Sequence, residues 1–234
     1  MHLLLESKVI LIMSNALAEL VVARLSQDAN SENAKAMSAY MKDKFQFFGV
    51  KSDLRKLCVR DSLKQSAPLK TLKLQPDIKS LWHCSKREAQ YVALDIYRKQ
   101  IKQEPIEVID FLQWLVVTHS WWDTVDSIAS NLVGPIVTQY PELKKSHIMH
   151  WIDHENMWLR RTSIIFQLKY KTSVDESLLL KAIEANLKDK DFFIRKAIGW
   201  SLRQYSNFNP DFVREVVGAY PLSKLSEKEA TKYL

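Results

Sequence analysis

At 234 residues, 47% of them apolar, the chain can bury a continuous core as one large domain or two small ones. Its four glycines argue against β-hairpins and Gly-rich nucleotide loops, and its two cysteines give no disulfide framework and no zinc ligand set. The net charge of +7 is uneven: residues 40–102 hold 15 Lys/Arg against 6 Asp/Glu, and the remainder 19 against 21. That concentration suggests a polyanionic partner, with a solvated lysine-rich surface as the alternative.

The chain opens on an apolar run through Met13, interrupted by Glu6 and Lys8. It is too short and too charged for a membrane span, and it lacks the basic start of a signal peptide. Residues 1–12 are therefore read as an N-terminal extension, either a helical one or the product of an upstream start codon with Met13 as the usual beginning, and residues 13–234 as a single domain. No membrane partner is expected. Helical periodicity then predicts helices at 16–26, 31–41, 52–63, 78–84, 86–103, 106–118, 122–139, 141–151, 156–169, 175–187, 192–205, 210–218 and 223–233. The links are short, and prolines such as Pro105 and Pro210 fall at helix starts.

An internal echo runs through the second half. Asn156-Met157-Trp158-Leu159-Arg160-Arg161 resembles Asp191-Phe192-Phe193-Ile194-Arg195-Lys196, displaced by 35 residues. Each is a capping Asx, two intervening positions, an apolar residue and two bases. A period of roughly 35–45 residues fits a solenoid of two-helix repeats, whose second helices line one concave face. Such a face would bring Trp122, Arg161 and Trp200 together.

Several residue groups stand out. In His119-Ser120-Trp121-Trp122-Asp123-Thr124-Val125-Asp126, Trp122 and Asp126 are four apart and share a helix face. Asp123 suits the first turn of a helix, where a negative charge is favourable; Asp126 lies deeper. Lys196, Trp200 and Arg203 form an i, i+4, i+7 stripe, and a Trp between two bases suits a nucleic-acid surface. Arg160 and Arg161 can be ordinary inter-repeat salt-bridge donors, and at least one of them is expected to be. His147, His150 and His154 can share a helix face as a metal site, but a solvated titratable face is the preferred reading, and no metal is assigned. Cys58 and Cys84 read as buried hydrophobes, and Phe45, Phe47 and Phe48 as inter-helix packing.

Four segments together resemble the AlkD family of DNA alkylpurine glycosylases, built from HEAT-like repeats. They are Ala36-Met37-Ser38-Ala39-Tyr40-Met41-Lys42 with Phe45 to Gly49; residues 120–126; Trp158-Leu159-Arg160-Arg161; and Phe192 to Tyr205. The resemblance runs from about residue 16 to the C-terminus. It implies an all-α, right-handed solenoid of HEAT-like two-helix repeats with a concave basic groove. By motif, the family's catalytic aspartate falls on Asp126, its two sugar-facing tryptophans on Trp122 and Trp200, and its essential arginine on Arg161. Trp121 is then left to the core. Tyr40, Lys169 and Arg203 match DNA-facing positions, and Lys196 joins them through its stripe.

The chemistry implied is hydrolysis of the N-glycosidic bond of cationic alkylated purines, 3-methyladenine and 7-methylguanine, in duplex DNA without base flipping. A cationic purine is already a good leaving group, so the protein must supply negative charge near C1′ and a placed water. Asp126 can do both. Trp122 and Trp200 can face the cationic sugar, and Arg161 can grip a phosphate. A monofunctional monomer without cofactor is expected, cytoplasmic and nucleoid-associated in a bacterium or nuclear in a eukaryote. The competing readings are a non-catalytic solenoid that recognises distorted or branched DNA, and a protein-interaction solenoid.

Overall fold

The computed structural model describes residues 16–66 and 73–234. The expected extension at residues 1–12 lies outside the described residues. Among these, all regular structure is helical, and the one β-type pairing is an isolated bridge between Gln46 and Lys86. Contacts divide the chain into two compact units, one ending at Gln100 and the other running Ile101–Leu234. No helix among the described residues is long and apolar enough to cross a membrane.

The first unit contains α1 (Ala16–Gln27), α2 (Ser31–Tyr40), α3 (Ser52–Gln65), α4 (Leu74–Trp82) and α5 (Arg87–Tyr97). In α1, Leu17, Val21 and Leu25 recur at helical spacing and are buried against α3 and α4. Burial of each such side chain is worth about 2 kcal/mol. The predicted helix 86–103 closes at Tyr97 and is followed by a short 3₁₀ turn, Ile101–Gln103.

Two charged residues organise this unit from inside. Glu88 is fully buried and accepts hydrogen bonds from the backbone N–H groups of Phe48 (2.9 Å), Gly49 (2.7 Å) and Val50 (3.0 Å). Gly49 has φ of 88°, and a Cβ there would lie 1.9 Å from the Asn30 carbonyl oxygen, so only glycine fits. Arg87, also buried, stacks its guanidinium 3.8 Å from the Phe45 ring centre. Phe47 is packed in the core as expected, whereas Phe45 serves as a platform for a buried cation.

The second unit contains α6 (Val108–Val117), α7 (Trp122–Ile128), α8 (Gly134–Gln139), α9 (Met149–Trp151), α10 (Met157–Ile165), α11 (Glu176–Asn186), α12 (Phe192–Ser206), α13 (Pro210–Ala219) and α14 (Lys224–Ala230). Helices α7, α10, α12 and α14 form a row in that order. Helix α11 packs on α10 and α13 on α12, which is the predicted two-helix repeat. The echo is visible as capping: Asn156 accepts from the Trp158 N–H (2.9 Å) to start α10, and Asp191 accepts from the Phe193 N–H (2.6 Å) to start α12.

The predicted helix 122–139 is helical throughout, but it widens to a π turn at Ala129–Val133 between α7 and α8. Pro135 is the local cause. It has no N–H to give the Asn131 carbonyl, and its ring would crowd that carbonyl in an α-helix. The Gly134 N–H donates instead to Ala129, five residues back. Gly134 also permits close approach: an added Cβ would lie 2.7 Å from the Phe166 carbonyl oxygen.

Candidate functional site

Helix α7 is launched by a sharp turn. His119 is left-handed (φ 51°), the Ser120 hydroxyl donates back to the Val116 carbonyl (2.6 Å), and Trp121 takes the extended cap position. Asp123 then sits in the first turn, and Asp126 one turn deeper.

Asp126 meets Arg161 of α10 face to face. Arg161 Nε donates to Asp126 Oδ1 (2.7 Å) and Nη2 to Oδ2 (2.8 Å), a bidentate pair. Nη1 donates to the Phe193 carbonyl in the first turn of α12, which the Asp191 cap holds in place. Three successive second helices are thereby joined at one guanidinium. The Arg161 side chain retains 4% of its exposure and that of Asp126 17%. Burial pushes the Asp126 carboxyl above the ordinary carboxylate value; the Arg161 hydrogen bonds and charge oppose the rise, and Asp123 adds to it.

This geometry gives Arg161 a different partner from the phosphate anticipated for it. Its guanidinium is turned inward onto the carboxylate and a backbone oxygen, which holds the Asp126 carboxylate in one orientation. Arg160, one residue earlier and about 100° round the helix, takes the structural part. It donates to the His154 carbonyl (2.7 Å) and to Asp189 (2.9 Å), fastening α10 to the loop before α12.

Trp122 is half-buried at the start of α7, one turn before Asp126, and Trp200 is half-buried on α12. Trp121 differs from expectation. It is half-buried and not sealed in the core, with its ring edge-on to Trp158 (centroids 5.8 Å apart) and Phe193 (5.0 Å). Trp158 and Phe193 are themselves 5.2 Å apart. The reason is positional: three helix starts lie side by side and each contributes an aromatic. Sequence reasoning missed this cluster, although Trp158 and Phe193 occupy equivalent places in the 35-residue echo.

The basic stripe of α12 is not free. Lys196 and Arg203 both pair with one carboxylate, Glu229 of α14, one on each oxygen. Those charges hold Glu229 below the ordinary carboxylate value, the Lys196 hydrogen bond contributing most. Lys169 is exposed and donates to Asn131 in the π turn. Tyr40 belongs to the first unit, at the end of α2, and is 71% exposed.

The three histidines turn to different partners: His147 to Ser146 (2.9 Å) and Asp110 (3.3 Å), and His154 to the Asn156 N–H (2.9 Å), with His150 exposed. Cys58 is buried as expected, and Cys84 is half-buried. In the first unit, α3 and the end of α5 border a groove of about 590 Å³ lined by Arg55, Lys56, Arg60, Lys64, Arg98 and Lys99, with Asp95. Lys56 and Arg60 pair with Asp53 and Asp61 beside it, and the cations that remain in excess suit it to an anion.

A family model described as DNA alkylation repair enzyme matches residues 21–234. Among solved structures, the chain is similar to a predicted DNA alkylation repair enzyme from Enterococcus faecalis, at 36% identity, covering 88% of this chain and 97% of that one with a TM-score of 0.82. Comparison with curated proteins finds no match.

Proposed function

Because the chain belongs to the family of DNA alkylation repair enzymes, we propose that it is a monofunctional glycosylase that hydrolyses the N-glycosidic bond of cationic alkylated purines in duplex DNA. The observation that carries this reading is the Asp126–Arg161 pair: a desolvated carboxylate held by two hydrogen bonds, with Trp122 one turn away on the same helix. Perturbed carboxylates of this kind cluster at functional sites. A silent DNA-binding solenoid would have no use for one.

As the C1′–N bond breaks, the bonding electrons leave with the purine, which departs neutral, and positive charge develops on the sugar. Asp126 stabilises that charge and receives a proton from the water whose oxygen bonds to C1′. Trp122 and Trp200 offer π faces to the cationic sugar, worth about 0.5–2 kcal/mol each. Arg161 holds the carboxylate in one orientation, so little reorganisation is needed during the reaction. The resemblance further implies action at the sugar with the lesion left in the duplex.

The basic groove of the first unit supplies phosphate affinity, with Tyr40, Lys169 and, on α12, Lys196 and Arg203 as further DNA-facing residues. The test is a substrate panel under single-turnover conditions. Duplexes carrying 7-methylguanine or 3-methyladenine should release free base, and those carrying neutral hypoxanthine or ethenoadenine should be poor substrates. A neutral purine needs protonation to leave, and the proposed residues include no second acid. Efficient excision of hypoxanthine would overturn the charge-based mechanism.

A further inference from the structure

Glu229 stands where a purely DNA-attracting surface has no reason to put a carboxylate. Its two oxygens are taken by Lys196 and Arg203, the bases that flank Trp200 along α12. The arrangement is built in. Helix α14 is drawn against α12 at Gly199, where an added Cβ would lie 2.5 Å from Glu229 Cβ and 2.6 Å from the Ser226 carbonyl oxygen. The Ser226 hydroxyl donates to the Arg195 carbonyl (2.9 Å), which fixes the register of the two helices. The Glu229 side chain keeps only 15% of its exposure, against 37% for Lys196 and 20% for Arg203.

We propose that Glu229 is a specificity-determining residue, an internal counter-charge that occupies the place of a phosphate between Lys196 and Arg203 and restrains binding to undamaged DNA. The proposal rests on the reading above, in which these bases face DNA. Two cations and one anion leave the stripe with a single net charge. The tether also fixes both side chains, so neither can reach freely for a backbone that passes by. Lys196 still has two ammonium N–H groups and Arg203 four guanidinium N–H groups beyond those given to Glu229. A correctly seated backbone can use these, while a loosely placed one must compete with a carboxylate already in position.

The isosteric variant Glu229→Gln tests this, since it keeps the side-chain volume against Gly199. Binding of an unmodified duplex is measured by fluorescence anisotropy across a salt titration, beside the wild type, Glu229→Gln, Arg203→Ala and the double variant. Glu229→Gln is expected to bind undamaged DNA about tenfold more tightly at low salt. The log–log salt dependence should steepen by about one phosphate contact, roughly 0.9 in slope. The gain should shrink when Arg203 is also removed. Unchanged affinity and slope in Glu229→Gln, or weaker binding at an unchanged slope, would make Glu229 a helix-packing residue and overturn the proposal. A wild type that shows no salt-dependent DNA binding would instead overturn the DNA-facing reading on which it rests.

Discussion

Asp126 and Arg161 illustrate how one pair can be costly for folding and useful for chemistry. Burial raises the Asp126 carboxyl, so the form that stabilises a cationic sugar is lost at a higher pH than an exposed aspartate would require. The acid limb of single-turnover excision is accordingly expected above the ordinary carboxylate range, with activity falling as pH drops through it; a limb at the ordinary value would remove the role of burial. For stability the sign is reversed. A carboxyl raised on folding contributes stability below its unfolded pKa that is lost as pH rises through the folded one. The stability advantage of wild type over Asp126→Asn should therefore shrink between acid and neutral pH, as followed by urea unfolding. Arg161→Ala leaves a buried carboxylate without its partner. It should cost about 3 kcal/mol at neutral pH, partly restored by adding Asp126→Asn. Excision of every substrate should fall by a similar factor, because Arg161 acts through Asp126 and inspects no base. A loss confined to one lesion would argue against that role.

The helices explain why these residues meet, and they also mark what the sequence could and could not say. Helical spacing placed Trp122 and Asp126 on one face, and the 35-residue echo announced the Asx caps of α10 and α12. Only the resemblance singled out Arg161; helical spacing alone does not say which of two adjacent arginines turns inward. The choice depends on how α10 is rotated against α7 and α12, and that is fixed by packing far away in sequence. Glu229 was invisible for the same reason, being 33 and 26 residues from its two partners. Arg87 and Glu88 lie in a run of charges that reads as surface, yet both are buried because one meets an aromatic ring and the other three backbone donors. The run 122–139 reads as one uninterrupted helix despite Pro135, and the π turn that begins three residues after Asp126 depends on how the backbone groups freed by that proline are satisfied. Gly199 gives a direct check on the α12–α14 contact. Gly199→Ala would gain helix propensity, yet its methyl has no room beside Glu229 and Ser226. Net destabilisation of about 1–3 kcal/mol is expected in a denaturant titration, and a stabilised variant would show that the helices can part at little cost.

Across the chain, charge and chemistry are divided. The cation-rich groove lies in the first unit, and the Asp126–Arg161 pair with its aromatic neighbours lies in the second. If the groove supplies phosphate affinity, reversing two of its exposed charges with Arg60→Glu and Lys64→Glu should weaken DNA binding several-fold and flatten its salt dependence. The single-turnover rate on saturating DNA should stay unchanged, and a slowed rate would tie the groove to the chemistry itself. The helical architecture of the described residues and the family membership are compatible with several ways of handling damaged DNA. Catalysis by the buried carboxylate is what would separate a glycosylase from a silent DNA-binding relative. Its most direct test is release of free 7-methylguanine from methylated duplex DNA under single-turnover conditions, wild type beside Asp126→Asn. Asp126→Asn is expected to fold, to bind the duplex at least as well because a negative charge near phosphate is removed, and to lose excision on the scale of about 3–4 kcal/mol of barrier, roughly 150- to 900-fold. Equal rates in the two proteins would contradict catalysis by this carboxylate.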